Sequence, residues 1–218
     1  MAVPSPARDL ACEPDHLIVW GNVDRIAAEL ARTLGVQPAD GGVHPGAGTR
    51  NALFPTRGGM SLEVLGPDTD QSSLPAWAPV HPSADGSLWW WAVRTDVPLE
   101  DVRSQLREAD VATTDVEPGE RVRPSGERLT WETVDPVDAA FGRAIPFVIR
   151  WRDRPDPGGT IDACVIEDLR VFHPDPDGIR RVFTALGLSG APPVEAAATP
   201  GLSARIRGPN GVRRFDPP

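Results

Sequence analysis

The sequence predicts an α+β fold of two successive β-α-β-β-β units with a partial third unit at the C-terminus. Three observations predict it. The stretch 15–65 reads strand, helix, strand, strand, strand. The stretch 88–151 repeats that order with almost no shared identities, and a third strand-and-helix start follows residue 160. Repeated order and spacing is what an internal duplication leaves behind. The expected boundaries are 13–66 for the first unit, 67–87 for a connector, 88–152 for the second unit and 160–215 for a C-terminal partial unit or extension.

The first unit opens with Asp15-His16-Leu17-Ile18-Val19-Trp20, a run with alternating faces. Val23, Ile26, Ala27, Leu30, Ala31 and Leu34 then recur at spacings of three and four, one face of a helix. Asn22 suits its N-cap and Gly35 its C-terminal stop. A glycine-rich crossover spans 41–51, and two strand-like runs follow at 51–55 and 60–65. Pro, Ser and Asp dominate 66–87, which therefore reads as a connector between structural units.

In the second unit, Leu88-Trp89-Trp90-Trp91-Ala92-Val93 is a strand, and Leu99, Val102 and Leu106 form a helical stripe behind Pro98. Residues 113–116 read as a strand, 117–126 as a polar turn region, and 128–134 and 146–151 as two more strands. The third start is a strand at 166–172 and a helix opened by Asp175-Pro176, with stripe Ile179, Val182, Phe183 and Leu186 before Gly187. Short strands are expected at 194–198 and 202–206, with no clear fifth element.

A chain of 218 residues can bury a sizeable core. Its apolar runs are too short to span a bilayer, and residues 1–14 lack an apolar signal core, so the expected location is the cytoplasm. With 22 basic and 31 acidic residues the net charge is −9, which argues against a nucleic-acid partner. The basic residues are all arginine, and tyrosine is missing, a composition expected of a GC-rich genome. A lysine Schiff base and a tyrosine acid are thereby excluded. Cys12 and Cys164 are isolated, a tail residue and a core residue by expectation, not a zinc site or a disulfide framework.

Asp15-His16-Leu17-Ile18-Val19, Ser61-Leu62-Glu63-Val64-Leu65 and Gly42-Val43-His44-Pro45-Gly46-Ala47-Gly48-Thr49-Arg50-Asn51 together resemble the vicinal oxygen chelate superfamily, specifically its glyoxalase-like domain branch. The resemblance covers about residues 13–152. It implies that each unit curls into a half-barrel and that paired halves enclose a cleft. It also implies that His16 on the first strand and Glu63 on the fourth stand where that superfamily often places metal ligands. The candidate cofactor is then a divalent metal acting as a Lewis acid. The second unit departs from the pattern. Trp89-Trp90-Trp91 offers no histidine, and Phe147-Val148-Ile149-Arg150-Trp151 offers no carboxylate, so at most half of a chelating site is present.

Beside that resemblance, each candidate carries a plain alternative. His16 and Glu63 read as a metal pair or an acid–base couple, or as a cleft histidine bonded to a carboxylate. His44 and Asn51 read as ligand-binding residues at the cleft mouth, or as parts of a structural loop. Arg150, among apolar strand neighbours, reads as a clamp for a ligand carboxylate or phosphate, with Glu132 as a rival partner. Arg50 is expected in a surface ion pair. Alternation puts Trp89 and Trp91 on one strand face and Trp90 on the other; Trp89 and Trp91 read as ligand walls, or as core, the default for most of the tryptophans because both faces of a half-barrel strand are partly buried. His81 and His173 stand beside prolines in expected loops and receive no role. The functional expectation is a module binding a small anionic or aromatic molecule in a cleft with a degenerate metal site. The alternative is a metal-dependent lyase, isomerase or dioxygenase. The partner is a small molecule, with neither nucleic acid nor membrane, and a homodimer is left open.

Overall fold

The computed structural model describes residues 10–72, 74–79, 86–137, 140–153 and 163–217. The fold is α+β. In the first unit, β1 (Glu13–Trp20) leads into α1 (Val23–Leu34), followed by β2 (Ala39–His44), β3 (Thr49–Phe54), a short β4 (Thr56–Arg57) and β5 (Ser61–Pro67). The second contains β6 (Ser87–Arg94), α2 (Leu99–Glu108), β7 (Glu117–Val122), β8 (Arg128–Val134) and β9 (Phe147–Trp151). The Asn22 side chain accepts from the Arg25 N–H at the start of α1, and Gly35 ends that helix in the left-handed region.

Strand pairing repeats as well as strand order. In the first unit β1 runs parallel to β5, β5 antiparallel to β3, and β3 antiparallel to β2. In the second, β6, β9, β8 and β7 follow the same scheme. Two antiparallel seams, β1 with β6 and β2 with β7, join the halves into a closed eight-stranded barrel. Closure leaves neither half with an open edge, which accounts for the need for two units.

Two segments differ from expectation. The first part of the glycine-rich crossover is itself β2, and only 45–48 turns. The polar region after residue 116 is strand β7, while 113–116 contributes only an isolated bridge from Thr113 to Pro136. β7 escapes a periodicity search because its sequence, EPGERV, has no apolar face. Residues 117–121 border the cavity and not a packed core, so none of them had to be apolar.

After the barrel come β10 (Cys164–His173), α3 (Pro176–Ala185), β11 (Val194–Ala196), β12 (Gly201–Gly208) and β13 (Gly211–Phe215), the last an element without a counterpart in the sequence expectation. Element order again reads β-α-β-β-β, but the pairing is different. β10 lies between β11 and β12, and β13 pairs with β12. β4 of the first unit also pairs with β10, tying this sheet to the barrel. The turn between β12 and β13 caps α1, with the Asn210 N–H donating to Leu34 O at 3.1 Å.

The apolar stripe of α1 is fully inside the core. Each Leu or Ile so buried contributes about 1.5–3 kcal/mol relative to exposure. Cys12, expected in a tail, is 0% exposed where the chain entering β1 bridges to Leu188 behind α3. His173 ends β10 and is buried. Its Nδ1 accepts from the Asp175 N–H, and its Nε2 donates to Ala140 O. His81 lies outside the described residues.

Candidate functional site

The barrel encloses a cavity of about 1520 Å³, larger than the roughly 300–1,000 Å³ usual for drug-sized ligands. Its polar floor starts from strand register. In the parallel pair of β1 and β5, His16 stands opposite Ser61 and Ile18 opposite Glu63, so His16 and Glu63 share the inner face one step apart. His16 Nε2 lies 3.2 Å from Glu63 Oε2. Asn51 on β3 donates from Nδ2 to Glu63 Oε1 at 2.7 Å, and its own Oδ1 accepts the Gly42 N–H at 2.9 Å. His16, Asn51 and Glu63 are all buried.

Behind His16 stands Asp15. Simple alternation would turn it to the other face, but the register with β6 slips between Pro14 and His16. The bulge brings both neighbours to the cavity. His16 Nδ1 donates to Asp15 Oδ1 at 2.6 Å, and Asp15 Oδ2 accepts from Trp151 Nε1 at 3.2 Å. Arg94 Nη1 is 3.7 Å from the same carboxylate. Burial alone would lower the His16 pKa, but the bond to Asp15 and the charge of Glu63 outweigh it. The imidazole is held above its ordinary value, against the opposing charge of Arg121. Burial would raise Asp15, yet the bond to His16, its charge, the Trp151 N–H and Arg94 together hold it below the usual carboxylate range.

His44 is the opposite case. Its Nδ1 is hydrogen-bonded to the Thr49 hydroxyl at 2.8 Å, and its ring meets Trp131 edge-on at 5.7 Å. Burial pushes its pKa down to about 4, with Arg121 and His16 adding to the effect and Glu63 opposing it. The cavity therefore holds two histidines with opposite protonation preferences. The turn beside His44 is held by Gln71, whose Oε1 accepts the Gly46 and Gly48 N–H groups and whose Nε2 donates to His44 O.

Trp77, Trp89, Trp90, Trp131 and Trp151 form the aromatic wall together with Phe147. Trp131 and Trp151 meet edge-on at 5.2 Å. A Cβ on Gly119 would lie 2.2 Å from Trp131 Nε1, so only glycine lets that indole lie across β7.

Two expected wall or clamp residues are elsewhere. Trp91 is 0% exposed and turned outward. It packs edge-on against Phe183 of α3 and donates to Ala144 O at 3.2 Å. Trp89 does line the cavity, together with Trp90, because the β1–β6 register slips a second time between Ile18 and Val19. Arg150 also faces outward, as Phe147, Ile149 and Trp151 take the inner positions of β9. Its Nη1 is 3.5 Å from Glu132 and its Nε donates to Asp96 O at 3.3 Å. Of the arginines that line the cavity, Arg121 on β7 is the buried one, 3% exposed. Arg50 pairs with Asp24 on α1.

The donor set does not fit a resident divalent ion. His16 and Glu63 offer adjacent ligand atoms, and Asp15 orients the imidazole as carboxylates do behind metal-bound histidines. Yet among the described residues no cluster of three or more His, Cys, Asp or Glu side chains could hold a metal. The second unit fills the inner faces of β6 and β9 with Trp90, Phe147, Ile149 and Trp151. Glu63 is also engaged by Asn51, and the positive charge of Arg121 bears on the same cluster.

Residues 15–187 match the glyoxalase-like domain family. No curated protein matches the chain. Among solved structures, a hypothetical protein from Staphylococcus aureus superposes with a TM-score of 0.65 at 14% identity, over 94% of this chain and 99% of that one. That likeness shows the fold. A methylmalonyl-CoA epimerase from Mycobacterium tuberculosis gives a TM-score of 0.45 at 16% identity, over 65% of this chain and 88% of that one. One from Streptomyces coelicolor, in complex with 2-nitronate-propionyl-CoA, gives 0.45 at 20% identity, over 66% and 99%. Neither of these two informs the site. No helix among the described residues is long and apolar enough to cross a membrane.

Proposed function

This chain belongs to the glyoxalase-like domain family, and from that premise we propose that its barrel binds a small anionic or aromatic molecule at a degenerate metal site. One observation carries the reading: a single cavity sets the buried cluster of His16, Glu63 and Asn51 beneath a wall of five tryptophans. Aromatic faces supply apolar area with defined geometry, and a few convergent polar groups supply orientation. His44 and Asn51 belong to the ligand-binding set, as do Trp89 and Trp90.

Tryptophan emission tests this directly, because the sequence has no tyrosine to overlap it. A panel of small aromatic and aliphatic carboxylates, with their neutral amides, is titrated into the protein. Saturable quenching that disappears in Trp131→Ala is expected. A panel without any saturable response would remove the reading.

The chain of Asp15, His16 and Glu63 favours a second reading, in which the pair works as an acid–base couple on the bound molecule. An imidazole between two carboxylates is a stored proton beside a group that can accept one. Exchange of a bound acid's α-proton with deuterated solvent, lost in Glu63→Gln, would support it. Exchange at the uncatalysed rate would exclude it.

A further inference from the structure

Resting on the reading that the cavity binds a small organic molecule, we infer that the Arg121 guanidinium is the resident cation of this site. It receives a ligand carboxylate where a chelated divalent ion would otherwise stand. Arg57, Arg94, Arg123 and Arg152 also line the cavity, but each is at least partly exposed. Among the described residues Arg121 is the one arginine in the buried set, and it lines the cavity.

Its path across the barrel is visible in the backbone. A Cβ on Gly42 would lie 2.4 Å from the Val122 carbonyl oxygen, 2.7 Å from Arg121 Cγ and 3.1 Å from Cδ, so both the β7 backbone and the stem of Arg121 press against β2 at that glycine. Gly42 is registered opposite Asn51, the residue that holds Glu63. Glycine at this position thus admits both the close approach of β7 and the stem of an arginine from the other unit. The charge is felt at both cavity histidines, where it disfavours protonation.

The chemistry follows from the group. A guanidinium presents five N–H donors in a planar fork that matches a carboxylate bidentately, and it keeps donors for protein partners at the same time. A fixed cation also repels a second one nearby, in keeping with the incomplete donor set of His16 and Glu63. The ligand class is therefore a carboxylic acid with a flat apolar body, its carboxylate at Arg121 and its body against Trp131 and Trp151.

Isothermal titration with 2-naphthoate and its neutral isostere 2-naphthamide, in buffer containing EDTA, tests the inference. The wild type should bind the acid at least tenfold more tightly than the amide. Arg121→Met should lose at least tenfold for the acid and leave the amide unchanged, while Arg121→Lys should fall between. Acid binding that survives Arg121→Met, or that EDTA abolishes, overturns the inference while leaving a binding cavity. Failure of the acid, the amide and every other panel compound overturns the cavity reading and this inference together. Should Arg121→Met not fold, equilibrium dialysis of the wild type against Mn²⁺ or Zn²⁺ decides. One tightly retained ion per chain overturns the inference, and none retained supports it.

Discussion

His44 offers a quantitative check on the electrostatics of the cavity. Its pKa is pushed down from 6.5 to about 4, chiefly by burial. In the unfolded chain the same imidazole takes its proton near its ordinary value. Between these two values the unfolded state binds the proton and the folded state does not. Stability from this group is therefore fully present above about pH 6.5 and is lost as pH falls toward about 4. A shift of that size is worth at most about 3 kcal/mol, and a half-buried ring facing an open cavity reduces the figure to about 1–3 kcal/mol. His44→Gln keeps an amide near the Thr49 hydroxyl and cannot take the proton. Urea unfolding from about pH 7 to about pH 4.5 should show the wild type losing about 1–3 kcal/mol more than the variant. Glu63, Arg121 and His16 face His44 in both proteins, so the difference isolates its own titration to first order. Parallel stability curves, or a His44 ring titrating near 6.5 by NMR, would refute the argument.

His16 should behave with the opposite sign. Its folded pKa is raised, so its contribution is present below about pH 6.5 and is lost as pH climbs through the raised value; His16→Gln should trail the wild type most in mild acid, and an equal or larger gap at alkaline pH would contradict this. Trp91→Ala should cost about 3–5 kcal/mol in denaturant unfolding, the range for a buried large aromatic, and leave the ligand affinity of the folded protein unchanged; a selective loss of affinity would return Trp91 to the site. The fragment 1–83 should dimerise or aggregate in gel filtration, since β1 would lack β6 and β2 would lack β7; a cooperatively folding monomer would show that one unit suffices.

Most of the helical and strand framework is legible in the chain itself. The apolar stripes of α1, α2 and α3 are those that the spacing predicts, because a helix facing a core repeats its apolar positions locally, and caps such as Asn22 act over three residues. The placement of Glu63 opposite the apolar positions of β5 is likewise a local consequence of the pleat. What alternation could not supply is where a strand slips against its partner. Two bulges in the seam of β1 and β6 bring Asp15 and Trp89 into the cavity against their sequence parity, and that register belongs to a neighbour about seventy residues away. Trp91 and Arg150 went astray for a related reason: both faces of a barrel strand carry apolar residues, so apolar neighbours do not say which face is the interior. β7 was unreadable because a strand that borders an open cavity in place of a packed core needs no apolar face, and with it Arg121 was hidden. The sequence alone determined the duplicated elements and named His16, His44, Asn51 and Glu63 for the site, while Asp15 and Arg121 went unnamed. Closure of the two units into one barrel decided the rest, because the residues that complete the cavity come from strands that meet only there.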